Sequence, residues 1–140
     1  MSRIFWDTNL FIYLFEDYSQ LSKRVGRLRR AMLERGDQLV TSTLTLGEIL
    51  VKPLERGDNE LARRYEQTIA ASSQVIPFDA QAAVIYGRLR SDRTLRAPDA
   101  IQLASAATAG VDLFITNDNH LQGRHVDSIQ FIVALERAPL

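Results

Sequence analysis

Residues 4–11 read Ile4-Phe5-Trp6-Asp7-Thr8-Asn9-Leu10-Phe11 (IFWDTNLF). Three large apolar side chains run straight into a carboxylate, and apolar residues resume at Leu10. An unbroken apolar triplet marks a short strand buried on both faces, as in a parallel sheet; a half-exposed strand would alternate. Asp7 then stands at the C-terminal end of that strand, where open α/β sheets place their ligand crevices. It is equally well placed to cap a helix beginning at Thr8 or Asn9.

Downstream, the pattern repeats. Leu10–Phe15 reads as a short apolar helix ending near Glu16. Residues 20–35 (QLSKRVGRLRRAMLER) carry Leu21, Val25, Leu28 and Met32 at helical spacing, with Gly36 as the stop. Leu39-Val40 makes a second strand, after which Thr43 can cap a helix through Leu46, Ile49 and Leu50 that Pro53 is expected to disturb. Asp58 can cap another through Leu61, Tyr65 and Ile69. Val75-Ile76 is a third strand, closed by Pro77, and Asp79 can cap a helix through Ala83, Tyr86 and Leu89. Pro98 suits the first turn of a helix rich in small residues that stops at Gly110. Leu113–Ile115 and Phe131–Val133 complete the strands. Short apolar strands alternating with amphipathic helices define an α/β domain with a mainly parallel sheet.

The 140 residues fit one domain, 1–140, large enough to bury a core without covalent staples. There is no cysteine, which removes disulfides, thiolate nucleophiles and Cys-based zinc sites. Seventeen basic residues balance seventeen acidic ones, so any contact with a polynucleotide needs a local patch or a bound cation rather than bulk charge. No apolar run approaches the roughly 20 residues that span a bilayer, and Asp7 interrupts the only apolar stretch near the start. The expectation is a soluble cytoplasmic protein without membrane contact.

Four acids stand out. Asp7 follows the first strand; Asp118 follows the fourth, in LFITNDNHL; Asp99 opens a helix, in RAPDAIQLA. Each has an ordinary explanation as a helix cap, a turn or a partner of the helix dipole. Glu48, in TSTLTLGEIL, reads as lying within an apolar helical stripe, where a carboxylate needs an ion pair, a proton or a cation. Taken as one constellation, the four repel one another unless a cation compensates. Hard oxygen ligands without cysteine or clustered histidines favour magnesium or manganese over zinc. Such a centre supports metal-assisted phosphodiester hydrolysis.

The strings FWDTN, TLTLGEIL, APDAIQLA and LFITNDNHL resemble, in order, the signature segments of PIN-domain ribonucleases, and among these the VapC-type toxins of toxin–antitoxin modules. The resemblance spans essentially the whole chain. It implies a three-layer α/β/α sandwich and an Mg2+- or Mn2+-dependent endoribonuclease acting on RNA. It also implies a cognate antitoxin and a homodimer. By that likeness Asp7, Glu48, Asp99 and Asp118 form the catalytic acids. Asp7, Asp99 and Asp118 would bear on the metal, with Glu48 on the attacking water. Asn9 and Thr116 match supporting positions. The family often has lysine before the Pro-Asp helix start, where this chain has Arg96-Ala97-Pro98-Asp99.

Cations for substrate contact are sought in Arg93 and Arg96, beside the Asp99 helix. Lys23, Arg24, Arg27 and Arg30 read as a solvated face. His120 and His125 read as exposed loop residues. Receiver domains and haloacid-dehalogenase-like phosphatases fall behind: the first needs a late lysine, and no lysine follows Lys52; the second needs an aspartate where Asn9 stands. A catalytically silent PIN-like domain that only binds RNA or protein is the remaining alternative.

Overall fold

The computed structural model describes every residue from Met1 to Leu140. Five strands alternate with six helices: β1 (Arg3–Trp6), α1 (Thr8–Phe15), α2 (Gln20–Arg35), β2 (Gln38–Ser42), α3 (Thr43–Glu55), α4 (Asn59–Ser72), β3 (Gln74–Ile76), α5 (Ala80–Leu89), α6 (Ala97–Ala109), β4 (Leu113–Thr116) and β5 (Phe131–Ala134). A 3₁₀ turn, Leu135–Arg137, follows the last strand. The strands form one sheet in the order β3-β2-β1-β4-β5, and every ladder is parallel.

Strand alternation divides the interior into two cores. Phe5 pairs in register with Val40 and Phe114. These three join Ile76, Ile132, Leu103 and Ala106 on the face covered by α5 and α6, and the Phe5 and Phe114 rings stack at 4.8 Å. Ile4 and Trp6 point the other way, to Leu39, Ile115, Leu10, Phe11, Val25, Leu28, Met32, Ile49 and Ile69. The apolar triplet thus feeds both layers, which is why it shows no alternation of polarity. Helix, sheet and helix layers make the α/β/α sandwich.

Local chemistry sets the element ends. Gly36 and Gly110 close α2 and α6 with φ of 75° and 63°, a region that a side chain disfavours. Asp58 and Asp79 cap α4 and α5 by accepting from the amides of Leu61 and Ala82. Two expectations shift. The cap of α3 is Ser42, whose hydroxyl accepts from Thr45 N at 3.1 Å, so Thr43 is the first helical residue. The disturbance expected at Pro53 does not appear, since α3 continues to Glu55. Pro53 lies in the last turn, where it forfeits one intrahelical bond just before the helix ends. No helix is long and apolar enough to cross a membrane.

Candidate active site

Strand order changes direction at β1: the chain moves from β1 to β2 and β3 on one side, then crosses to β4 on the other. Such a switch point opens a crevice beyond the strand C-termini. Here the amide of Asp7 donates to the carbonyl of Ile115 at 3.0 Å, extending the β1–β4 pairing to the crevice floor. A cleft of about 440 Å³ lies there, lined by Asp7, Glu48, Asp99, Asp118, Asn9 and Arg96 among others. Residues far apart in sequence meet because Asp7 and Asp118 follow strands, Asp99 opens α6 and Glu48 lies in the second turn of α3, all at the same edge of the sheet.

Asp7 is 8% exposed. It is indeed the N-cap of α1, accepting from the Thr8 amide at 2.9 Å through Oδ1. Gln102 Nε2 also donates to Oδ1, at 3.2 Å, and the Thr116 hydroxyl donates to Oδ2 at 2.7 Å. Burial pushes the Asp7 carboxyl above the ordinary carboxylate range; these three hydrogen bonds oppose the shift, and the charge of Asp99 adds to it. Cap and cleft acid are one residue, so the two readings of Asp7 coexist.

Arg96 crosses the cleft. Its Nε lies 3.3 Å from Asp99 and a terminal nitrogen 3.2 Å from Asp118, with the side chain itself 71% exposed. Asp118 is held below its ordinary value: burial works upward, but the His120 backbone and ring, and then the charge of Arg96, outweigh it. The Thr116 hydroxyl, besides donating to Asp7, accepts from the Asp118 amide at 3.0 Å. One residue of β4 thereby orients two acids.

Glu48 departs from expectation. It does not sit within the apolar stripe of α3, which is formed by Thr45, Ile49 and Pro53; it is exposed and opens onto the cleft. Its charge therefore needs no buried ion pair. Glu48 accepts instead from the Thr8 hydroxyl at 2.6 Å. Asn9 lines the cleft but makes no hydrogen bond to the four acids, whereas Thr116 does. Arg93 is exposed in the loop before α6 and lies outside the cleft lining. His120 is exposed, with Nδ1 3.2 Å from Asp118; His125 is exposed beside Asp127. Gln102 was not singled out from sequence. Its signal was there: a lone amide one turn beyond Asp99, in a helix whose remaining buried positions are Ala, Leu and Ser.

The donor set suits a hard divalent cation: four carboxylates on one cleft, one of them nearly buried, with a guanidinium already balancing two others. As the side chains stand, no three acidic or imidazole groups surround a common point at ligand distance. Arg96 engages one carboxylate oxygen of Asp99 and one of Asp118, so a cation at these acids would compete with it.

A parallel α/β sandwich with an acid-lined cleft at its switch point describes a class. The sequence profile of the PIN domain matches residues 4–124, and the chain belongs to the PIN-domain family. The search of curated protein sequences gives no match. Among solved structures, a chain of the DNA-bound VapBC complex from Salmonella typhimurium superposes with a TM-score of 0.74 at 17% identity, over 96% of this chain and 99% of that one. VapBC2 from Rickettsia felis, bound to a promoter DNA fragment, gives 0.70 at 14% identity over 94% and 98%. A toxin–antitoxin complex from Klebsiella pneumoniae gives 0.67 at 21% identity over 94% and 97%. At these identities the likeness is one of fold.

Proposed function

We propose that the protein is a metal-dependent endoribonuclease, the toxin of a toxin–antitoxin pair, with Mg2+ or Mn2+ as its cofactor. One observation carries the reading: Asp7, Glu48, Asp99 and Asp118 all open onto one cleft at the topological switch point. Its likeness to chains of VapBC complexes supports a partner antitoxin and, by family expectation, a homodimer in the cytoplasm.

Asp7, Asp99 and Asp118 would hold the ion, which when bound supplies Lewis acidity and stabilises charge developing on the phosphate. The chain's own residues do the rest. Thr116 fixes Asp7 and Asp118 together. Glu48, anchored at Oε1 by Thr8, orients and deprotonates the water that attacks phosphorus. Arg96, once free of the carboxylates, is placed to meet a phosphate oxygen. Arg93, more distant, would track the RNA backbone.

The test is cleavage of single-stranded and structured RNA by the purified protein with Mg2+ or Mn2+, using Asp7→Asn and Glu48→Gln as comparisons. Metal-dependent cleavage that falls at least about 100-fold in either variant is the expected result. A folded wild-type protein that binds RNA without cutting it would favour the silent binding domain. Full activity in Asp7→Asn would remove the metal role of that carboxylate.

A further inference from the structure

Resting on the nuclease reading, we propose that Gln102 is a positioning residue. It orders the Thr45 and Thr8 hydroxyls into a one-way series of donors that ends on Glu48 and fixes the carboxylate that handles the water.

The direction follows from counting protons. Ser42 Oγ accepts from the Thr45 amide, so its own proton goes to Gln102 Oε1. That contact sets the amide's orientation and turns Nε2 toward three acceptors: Thr45 Oγ1 at 2.7 Å, and Thr8 Oγ1 and Asp7 Oδ1 at 3.2 Å each. Two N–H groups serve three acceptors, so the shorter contact takes one proton and the other two share the second. The Thr8 hydroxyl donates its only proton to Glu48 Oε1 at 2.6 Å. It therefore cannot also donate to Thr45, and across the 3.2 Å between the two hydroxyls Thr45 must be the donor. Each hydroxyl is left with one orientation. The series runs from Gln102 through Thr45 and Thr8 to Glu48 Oε1, and leaves Oε2 without a hydrogen-bond partner.

Gln102, Ser42, Thr45 and Thr8 are all buried, Gln102 being 2% exposed, so water does not scramble this order. Glu48, exposed and on a flexible stem, has no other hydrogen-bonded partner to hold it. The same amide touches Asp7. A neutral group thereby links the proposed metal ligand to the proposed base without adding charge to a crowded acidic site.

Thr8→Val keeps the side-chain shape and removes the last link. With Mn2+ and an RNA substrate, its kcat is expected to fall about 10- to 100-fold, with KM and the calorimetric Kd for Mn2+ within about twofold. Thr8→Ser, which restores a hydroxyl, recovers most of that loss. Combining Thr8→Val with Glu48→Gln gives no further loss beyond Glu48→Gln alone, because both remove one function. Wild-type kcat in Thr8→Val, or losses that multiply in the double variant, overturns the proposal. Gln102→Met falls with Thr8→Val, and wild-type kcat in a folded Gln102→Met also overturns the proposal; should that variant not fold, Thr45→Val, which breaks the series between the amide and Thr8, is read in the same way. A readout independent of cleavage is the Thr8 hydroxyl proton by NMR, expected to exchange slowly in wild type and rapidly in Glu48→Ala. Absence of cleavage by the wild type refutes the nuclease reading instead, and rapid exchange of that proton in the wild type refutes the ordered series whether or not RNA is cut.

Discussion

Asp7→Asn is expected to move stability and metal response in opposite directions. Burial holds the Asp7 carboxyl above its ordinary pKa despite hydrogen bonds from Thr116, the Thr8 amide and Gln102. Without a cation, then, the charged form is kept in the fold at a net cost. Burying a carboxylate costs several kcal/mol even after relaxation. Three charge-assisted hydrogen bonds exceed neutral ones by roughly 1 kcal/mol each, about 3 kcal/mol together. The upward shift shows that burial prevails. An amide keeps an acceptor for the Thr8 amide and Gln102 and offers a donor to Thr116, so the metal-free variant should gain about 1–2 kcal/mol. For 140 residues that raises Tm by roughly 3–7 °C. Because the folded-state pKa is raised, the penalty on the wild type grows as pH climbs past the ordinary value near 4; the two proteins converge below about pH 4. Mn2+ at about 100 times its Kd adds about 2.7 kcal/mol to the wild type and little to the variant, so the order of Tm reverses. Scanning calorimetry with and without Mn2+ measures both signs. A metal-free variant that melts below wild type, or one that Mn2+ stabilises equally, refutes the reasoning.

Two further outcomes are expected. Arg96→Gln removes two ion pairs on an exposed arm, each worth at most about 1 kcal/mol, and should tighten Mn2+ binding about 3- to 10-fold in calorimetry while raising KM for RNA; an unchanged Kd would show that Arg96 does not compete with the ion. Asp92, exposed, is held down at about 2 by the Thr94 hydroxyl and amide and then by Arg124. Its contribution is present above the ordinary carboxylate pKa and lost as pH falls from about 4 toward 2, so protection of the Thr94 amide, measured against its intrinsic exchange rate at each pH, should fall over that interval in wild type and stay constant in Asp92→Asn.

Much of this molecule is legible in its sequence because its strands are short, apolar and bounded by caps. The triplet Ile4–Trp6 announces burial on both faces, and Asp58, Asp79, Gly36 and Gly110 punctuate the helices as their chemistry dictates. Asp7, Asp99 and Asp118 are legible as strand-end and helix-start residues and Glu48 as a mid-helix acid among apolar neighbours, but their surroundings are not. Glu48 reads as buried because Leu44 lies one turn before it and Val51 close after it on a helix; in α3 Leu44 is only half-buried and Val51 is exposed, and that edge opens onto the cleft. Arg96 was legible as a nearby cation, while its bridge between Asp99 and Asp118 depends on a β4 loop more than twenty residues away. Gln102 escaped notice since one amide among apolar neighbours has many explanations until its three acceptors are located. Ser42 took the cap from Thr43 through a shift of one residue, which propensity does not resolve.

The position of β4 beside β1 also has a consequence in time. During synthesis the chain emerges from its first residue, and β2 and β3 can pair with one flank of β1 early. The other flank stays bare until residues 113–116 follow. Thr116 and Asp118, which orient and complete the acidic cleft, arrive with that strand. Until that strand docks, Asp7 lacks the Thr116 hydroxyl and the cleft lacks Asp118. Nuclease competence, on the reading proposed here, waits on the single pairing of β4 with β1, so the acidic cleft is assembled in one docking step rather than acid by acid.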